Sequence, residues 1–276
     1  MKLNELKTEN KQLSPLYKLE RKLNLKPLII FSLISAVILF VVVSLFPFLD
    51  DAMLQLQEMF AGNEEMQDML AMAIGTQNIT TYFVAQSAQS WAFLGVVYAM
   101  FLGYKLVCGN FKDGSYEILY VQNLSRTEIL KHKFIRLIIN LLIFSLVNTI
   151  VGLIALLIWG YGEFNVFKYF LYALLVTVVT LQAGVLSFAI ATFTHKKYSI
   201  MSAILIAVAL YFVVTFALSV ESLNFLKCFT PFATAYVDVF SSTMEAVDVI
   251  SLIVWTVVPA ILLFFGVKSY KNNDLV

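Results

Sequence analysis

PLIIFSLISAVILFVVVSLFPFL, residues 27–49, is a run of 23 residues without a charged side chain. About 20 apolar residues in a helix cross the roughly 30 Å of bilayer hydrocarbon, so this run reads as a membrane span. Before it stand Lys2, Lys7, Lys11, Lys18, Arg21, Lys22 and Lys26, and after it no Lys or Arg occurs until Lys105. Five further apolar stretches follow, roughly 87–108, 137–159, 169–193, 199–220 and 249–267.

Threading the chain through a membrane six times puts seventeen of its nineteen basic residues on one side and leaves only Lys168 and Lys227 on the other. Eleven of the eighteen acidic residues, Asp50, Glu58 and Asp238 among them, fall on the opposite face. Basic residues near membrane ends resist translocation, so the basic face is expected to be cytoplasmic, with both termini inside the plasma membrane. The net charge of +1 conceals two oppositely charged faces.

A hydrophobic share of 60% over 276 residues excludes an ordinary soluble domain. The expected fold class is an all-α integral membrane protein with six transmembrane helices in a single transmembrane domain, 1–276. The first apolar run begins late, is too long for a signal-peptide core and lacks a small-residue cleavage site, so it is expected to stay as an anchor. Cys108 and Cys228 fall on opposite faces and cannot pair. His132 and His195 lie in different cytoplasmic segments, and no metal site is expected.

Three connecting regions carry more than a link. In the arm, 1–26, Ser14 followed by Pro15 reads as a helix start, with Leu16, Leu19 and Leu23 on one face and Lys18, Arg21 and Lys22 on the other. That pattern fits an interfacial helix on an anionic leaflet, and it fits equally a charged flank that orients the first span. The external segment 50–86 holds five of the nine methionines and six carboxylates. It reads either as a cap on the bundle or as a contact surface for a cationic or amphipathic substrate through Glu58, Glu64, Glu65 and Asp68. The segment 219–248 contains an apolar stretch, 223–236, too short to span and broken at Thr230 and Pro231. A re-entrant pair of short helices from the outer face fits it best.

Within the apolar stretches no Asp, Glu or His occurs at mid-depth, which argues against a proton- or ion-coupled carrier. Asn140, Ser145, Asn148, Thr177, Thr180 and Gln182 are polar exceptions. Hydrogen bonding between helices accounts for such residues, and Asn148 and Gln182 are also candidates to line a translocation surface. No nucleophile with a base, no carboxylate pair and no metal-ligand set stands at hydrocarbon depth, so no catalytic residue is assigned. No glycine is followed by Lys, which excludes a G-x-x-x-x-G-K-[ST] nucleotide loop. No nucleic-acid partner is expected.

The most patterned cytoplasmic segment is 109–134, GNFKDGSYEILYVQNLSRTEILKHKF. Asp113 and Gly114 form a turn signal. A short amphipathic helix is expected at about 116–120, and Ser125 with Glu128 matches a capping box that starts a helix continuing into the third span. Exposed Tyr, Leu and Arg on such a knuckle are residue types of a protein contact.

Here the chain resembles the ABC-2 type permeases, the membrane subunits of a large class of ATP-driven exporters. Their first cytoplasmic loop reads approximately acidic-x-Gly-[Thr/Ser]-x-Glu-x-Leu, then Pro-x-[Ser/Thr]-Arg, then apolar pairs and a Lys. Asp113, Gly114, Ser115, Glu117 and Leu119 match the first part, Ser125 and Arg126 the second, and Ile129, Leu130 and Lys133 the last. The Pro is absent; Gln122 and Asn123 stand near its place. The resemblance implies a coupling helix that inserts into a separate ABC ATPase subunit, with Tyr116, Glu117, Leu119, Tyr120, Leu124, Ser125, Arg126 and Glu128 at the contact.

The same resemblance implies two ATPase copies, a second permease chain (an identical copy or a close paralogue), a surrounding lipid bilayer, and ATP and Mg bound in the partner and not in this chain. It extends to Gram-positive exporters of bacteriocins and phenol-soluble modulins, which makes an amphipathic or hydrophobic peptide the expected substrate. The rival reading is a non-transporting scaffold or sensor subunit whose knuckle recruits a soluble partner.

Overall fold

The computed structural model describes residues 2–49, 52, 78–109, 125–160, 164–194, 198–241 and 244–272. Among them there is no strand, and six helices are long and apolar enough to cross a membrane. Helix α1 (Lys2–Ser44) carries the first span. The second, Ile79–Gly109, consists of α2 (Ile79–Ser87), a π-helical turn (Ala88–Ala92), α3 (Phe93–Tyr104) and a second π-helical turn (Lys105–Gly109). Helices α4 (Arg126–Trp159), α5 (Val166–Thr194), α6 (Ile200–Ser219) and α7 (Ala246–Asn272) supply the rest. The chain is thus a multi-pass membrane protein.

Each expected stretch lies mostly or wholly within one of these spans, but the first three spans start two turns or more before their apolar runs. Helix α1 runs without interruption from Lys2, so Ser14 and Pro15 do not start a helix and the arm is continuous with the first span. The second span begins inside the segment 50–86, at Ile79, where Asn78 accepts a hydrogen bond from the Thr80 amide at 3.1 Å. Helix α4 starts at Arg126, three turns ahead of the apolar run at 137, because the capping box at Ser125 fixes its origin. Hydropathy marks where a helix meets hydrocarbon, whereas caps mark where its hydrogen bonding begins.

The second and fourth spans form the buried centre. Trp91, Tyr98, Tyr169, Tyr172, Phe83 and Phe144 are fully enclosed there. Small residues let α3 and α5 approach closely: a Cβ on Gly103 would lie 2.7 Å from the Ser187 Cβ and 2.8 Å from the Phe188 backbone nitrogen. In lipid, where apolar burial gives helices little reason to associate, such close contact is a main source of association. Ser187 uses the proximity, donating to the Met100 carbonyl at 2.6 Å. The outward faces carry Ile29, Leu33, Val37, Leu146, Leu205 and Ile253, apolar and exposed, as a lipid-facing surface requires.

Helices α1 and α4, the first and third spans, run parallel. Lys133 Nζ meets Glu20 Oε1 at 3.8 Å, and Ser35 donates to Asn148 Oδ1 at 2.8 Å. Both pairs are separated by the same 113 positions, so the two helices stay in one register over that length.

Between α6 and α7 the chain folds into two short 3₁₀ helices, Glu221–Phe229 and Pro231–Tyr236, separated at Thr230. The break falls at the expected place, where Pro231 is set at the start of the second helix. Cys108 and Cys228 are not joined by a disulfide.

Candidate functional site

The segment between the second and third spans is described up to Gly109 and again from Ser125; residues 110–124, with Tyr116, Glu117, Leu119, Tyr120 and Leu124, lie outside the described residues. Its return end is built as a reciprocal cap. The Glu128 amide donates to Ser125 Oγ at 3.3 Å, and the Ser125 amide and hydroxyl donate to Glu128 Oε2 at 2.9 and 2.7 Å. Two free amides of the first turn are satisfied, and a carboxylate sits at the positive end of the helix dipole. Ser125 is exposed and Arg126 and Glu128 are half-buried, so the cap stands at the protein surface.

The departing end is held by lysines. Lys133, 5% exposed, donates to the Leu106 carbonyl at 2.6 Å. Leu106 lies in the last described turn of the second span, a widened π-helical one. The ammonium satisfies that carbonyl and lies toward the negative end of the helix dipole. Since Lys133 also faces Glu20 on α1, a single side chain ties the first, second and third spans together at the base of the segment.

Lys105 makes a parallel tie by donating to the Leu23 carbonyl at 2.9 Å. That carbonyl lies four residues before Pro27, which has no N–H to give it. Arg136 is buried alongside, 4% exposed. These cations read as flanking charge in the sequence, and the structure packs Lys133 and Arg136 inside the bundle. In the sequence Lys133 is marked by its match to the Lys of the loop pattern, and Arg136 only by its spacing, three positions on, along a helix that starts at a legible cap.

Across the bundle, the segment between α5 and α6 is anchored by Tyr198, whose ring meets Tyr104 at 5.7 Å and whose hydroxyl lies 3.2 Å from Ser187 Oγ. Burial pushes its phenol up to about 12, so it stays protonated at physiological pH.

The opposite end of the molecule is closed by the 3₁₀ pair. Thr230 caps the second helix by accepting from the Phe232 amide, and donates to the Leu210 carbonyl at 2.8 Å. Leu210 is nine residues from the end of α6 at Ser219, about 13 Å along the axis. Ser251 and Trp255 on α7 donate to the Thr230 and Cys228 carbonyls at 2.9 and 3.2 Å. Tyr172 donates to the Ala235 carbonyl at 3.0 Å and also meets Ser87, and Thr81 donates to Asp238 at 2.8 Å. Four spans therefore hold the 3₁₀ pair.

Glu58, Glu64, Glu65 and Asp68 lie outside the described residues. Asn148 is fully buried: its oxygen accepts from Ser35, and its nitrogen donates to the Phe144 carbonyl at 2.9 Å. Asn140 is also fully buried, with no hydrogen-bond partner at either end of its amide among the described residues. Gln182 donates to Thr256 Oγ1 at 2.9 Å and the Leu252 carbonyl at 3.2 Å, while its own buried carbonyl has no partner among the described residues. It lines an 810 Å³ groove bounded by α4, α5 and α7, with Trp255, Pro259, Leu263, Lys268 and Lys271. Among the described residues no three His, Cys, Asp or Glu gather as metal ligands.

Six helices long and apolar enough to cross a membrane, a surface cap tied to the bundle through buried Lys133, and a far end closed by a short-helix pair define a polytopic helical membrane protein. The sequence model of one family, ABC-2 family transporter protein, matches residues 21–275, and the chain belongs to that family. It is accordingly a membrane component of transport, from a family that works with an ABC ATPase in a lipid bilayer and is typically not itself catalytic. No curated protein matches the sequence.

Proposed function

We propose that the chain is the permease subunit of an ATP-driven exporter, with segment 109–134 as the coupling segment to a separate ABC ATPase. The observation that carries this reading is the clasp at the segment's base. Segment ends fixed to three spans by Lys133, Glu20 and the Leu106 carbonyl can pass a push from a partner into the bundle. A loosely tethered loop would absorb it. Tyr116, Glu117, Leu119, Tyr120, Leu124, Ser125, Arg126 and Glu128 form the contact. Two such permeases with two ATPases make the working unit, and ATP and Mg bind in the ATPases.

The basic face is cytoplasmic, with both termini there, and the 3₁₀ pair is a re-entrant element on the outer face. Its contact with Leu210, about 13 Å from the end of α6, supports that depth. Transport runs outward, and the substrate is an amphipathic or hydrophobic peptide. The apolar groove at Gln182 offers such a molecule an apolar surface. The acidic segment containing Glu58, Glu64, Glu65 and Asp68 receives it outside.

The test is co-purification of the chain with its ATPase and ATP-driven transport in vesicles. Arg126→Glu combined with Leu119→Asp is expected to abolish both while the permease still inserts. Retention of the complex and of transport by this variant overturns the coupling assignment. Gln182→Leu is expected to lower peptide-stimulated ATP hydrolysis several-fold with the complex intact, and an unchanged rate removes Gln182 from the path.

A further inference from the structure

We infer that the groove between α1 and α4 is a binding site for an anionic phospholipid of the leaflet on the basic face. The groove, about 810 Å³, is bounded along its length by Leu25, Ile29, Leu33, Ile139, Ile143 and Val147. At one end stand two guanidiniums, Arg21, exposed, and Arg136, buried.

The register of the two helices places these arginines at one level. With a constant separation of 113 positions, Arg136 is level with residue 23 of α1, two positions from Arg21. Two residues of helix rise are about 3 Å. The register also gives a depth. Asn148 lies at the middle of the apolar stretch 137–159, eleven residues from either end, and Arg136 is twelve residues, about 18 Å, from Asn148. Half the hydrocarbon core is about 15 Å, so the guanidiniums sit just beyond its edge, where headgroup phosphates lie.

From Arg136 to Val151 the groove runs about 22 Å, longer than one leaflet, so a complete acyl chain fits below the charged end. Lys22 and Lys26, exposed on α1, add positive charge at the same level, and Glu20 on α1 is paired with Lys133. Paired guanidiniums above an apolar channel match a phosphate carrying an acyl chain.

The other occupants fit less well. A second copy packed symmetrically on this groove would set Arg21 and Arg136 against their own equivalents. A cationic peptide would meet the same like charge.

The experiment uses the full chain without ATPase or nucleotide, so its result is independent of the coupling assignment. The protein is placed in phosphatidylcholine nanodiscs containing a minor fraction of phosphatidylglycerol with a photoactivatable acyl chain, and cross-linked peptides are mapped. Cross-links are expected to concentrate on residues 25–37 and 139–147. A phosphatidylcholine probe of the same chain is expected to label the groove no more than the other lipid-facing helices. Arg21→Gln, on an exposed side chain, is expected to lower groove labelling about fivefold, the effect of one basic residue at a membrane surface. Val147→Trp, which fills the channel and leaves the arginines in place, is expected to lower it as well.

Equal labelling by the two probes overturns the site. So does unchanged labelling in both variants, or efficient disulfide cross-linking between copies carrying Ile29→Cys, which would assign the groove to a second chain.

Discussion

Lys133 is a residue whose meaning changes between sequence and structure. In the sequence it is one of six basic residues around the cytoplasmic segment; in the fold it is a buried cation serving a carbonyl 27 positions away and a carboxylate 113 positions away. No local pattern encodes partners at such separations. Lys133→Met should therefore destabilise the chain by about 3 kcal/mol or more, because it leaves a buried carboxylate and a buried carbonyl unpaired. Thermal unfolding in detergent reads that loss, and Glu20→Gln, which retains the Leu106 contact, should lose less. Ser125 is the contrasting case: its partner Glu128 is three positions on, and the capping box is legible from the sequence alone. Ser125→Ala should cost about 1 kcal/mol of local helix stability, seen as faster amide exchange in the first turn of α4 with the rest of the helix unchanged.

At the scale of elements, the 3₁₀ pair shows where reading the sequence stops. Its existence follows from an apolar stretch too short to span and from Pro231, but its seating does not, since the Leu210 carbonyl that receives Thr230 is twenty positions away on a neighbouring helix. Thr230→Val keeps the shape and removes both the cap and that bond. A loss of about 1–2 kcal/mol is expected, with increased protease access between α6 and α7. The contact between α3 and α5 was equally silent, for glycines in an apolar stretch announce neither partner nor side. Gly103→Val would drive a branched side chain into Ser187 and the Phe188 backbone, and the bundle should fail to assemble, monitored as loss of the monodisperse species in size exclusion. In α7, Pro259 lies inside the helix, and no contact explains why it is kept there.

At the scale of the molecule, all six spans were legible, because an uncharged run of about 20 residues has few alternatives to crossing a bilayer. Helix ends were less so, and the candidate contact with a partner was legible only as a pattern of residue types. Orientation rests on charge and is open to measurement. In a chain whose two native cysteines are changed to Ser, a cysteine at Ser241 should react with an impermeant maleimide in intact cells, and one at Ser269 only after permeabilisation. The reverse result inverts the topology.

The buried pairing of the second and fourth spans has a consequence for biosynthesis. These are the least hydropathic of the six candidate spans and the most enclosed, and the first is the most hydropathic. The second span therefore partitions least readily into lipid by itself, and its favourable surroundings, the Ser187 hydroxyl and the small faces of α5, emerge from the ribosome some eighty residues later. A nascent chain halted after the second span should linger at the insertion machinery or depend on the first helix for shelter, and release into the bilayer should become efficient once the fourth has arrived.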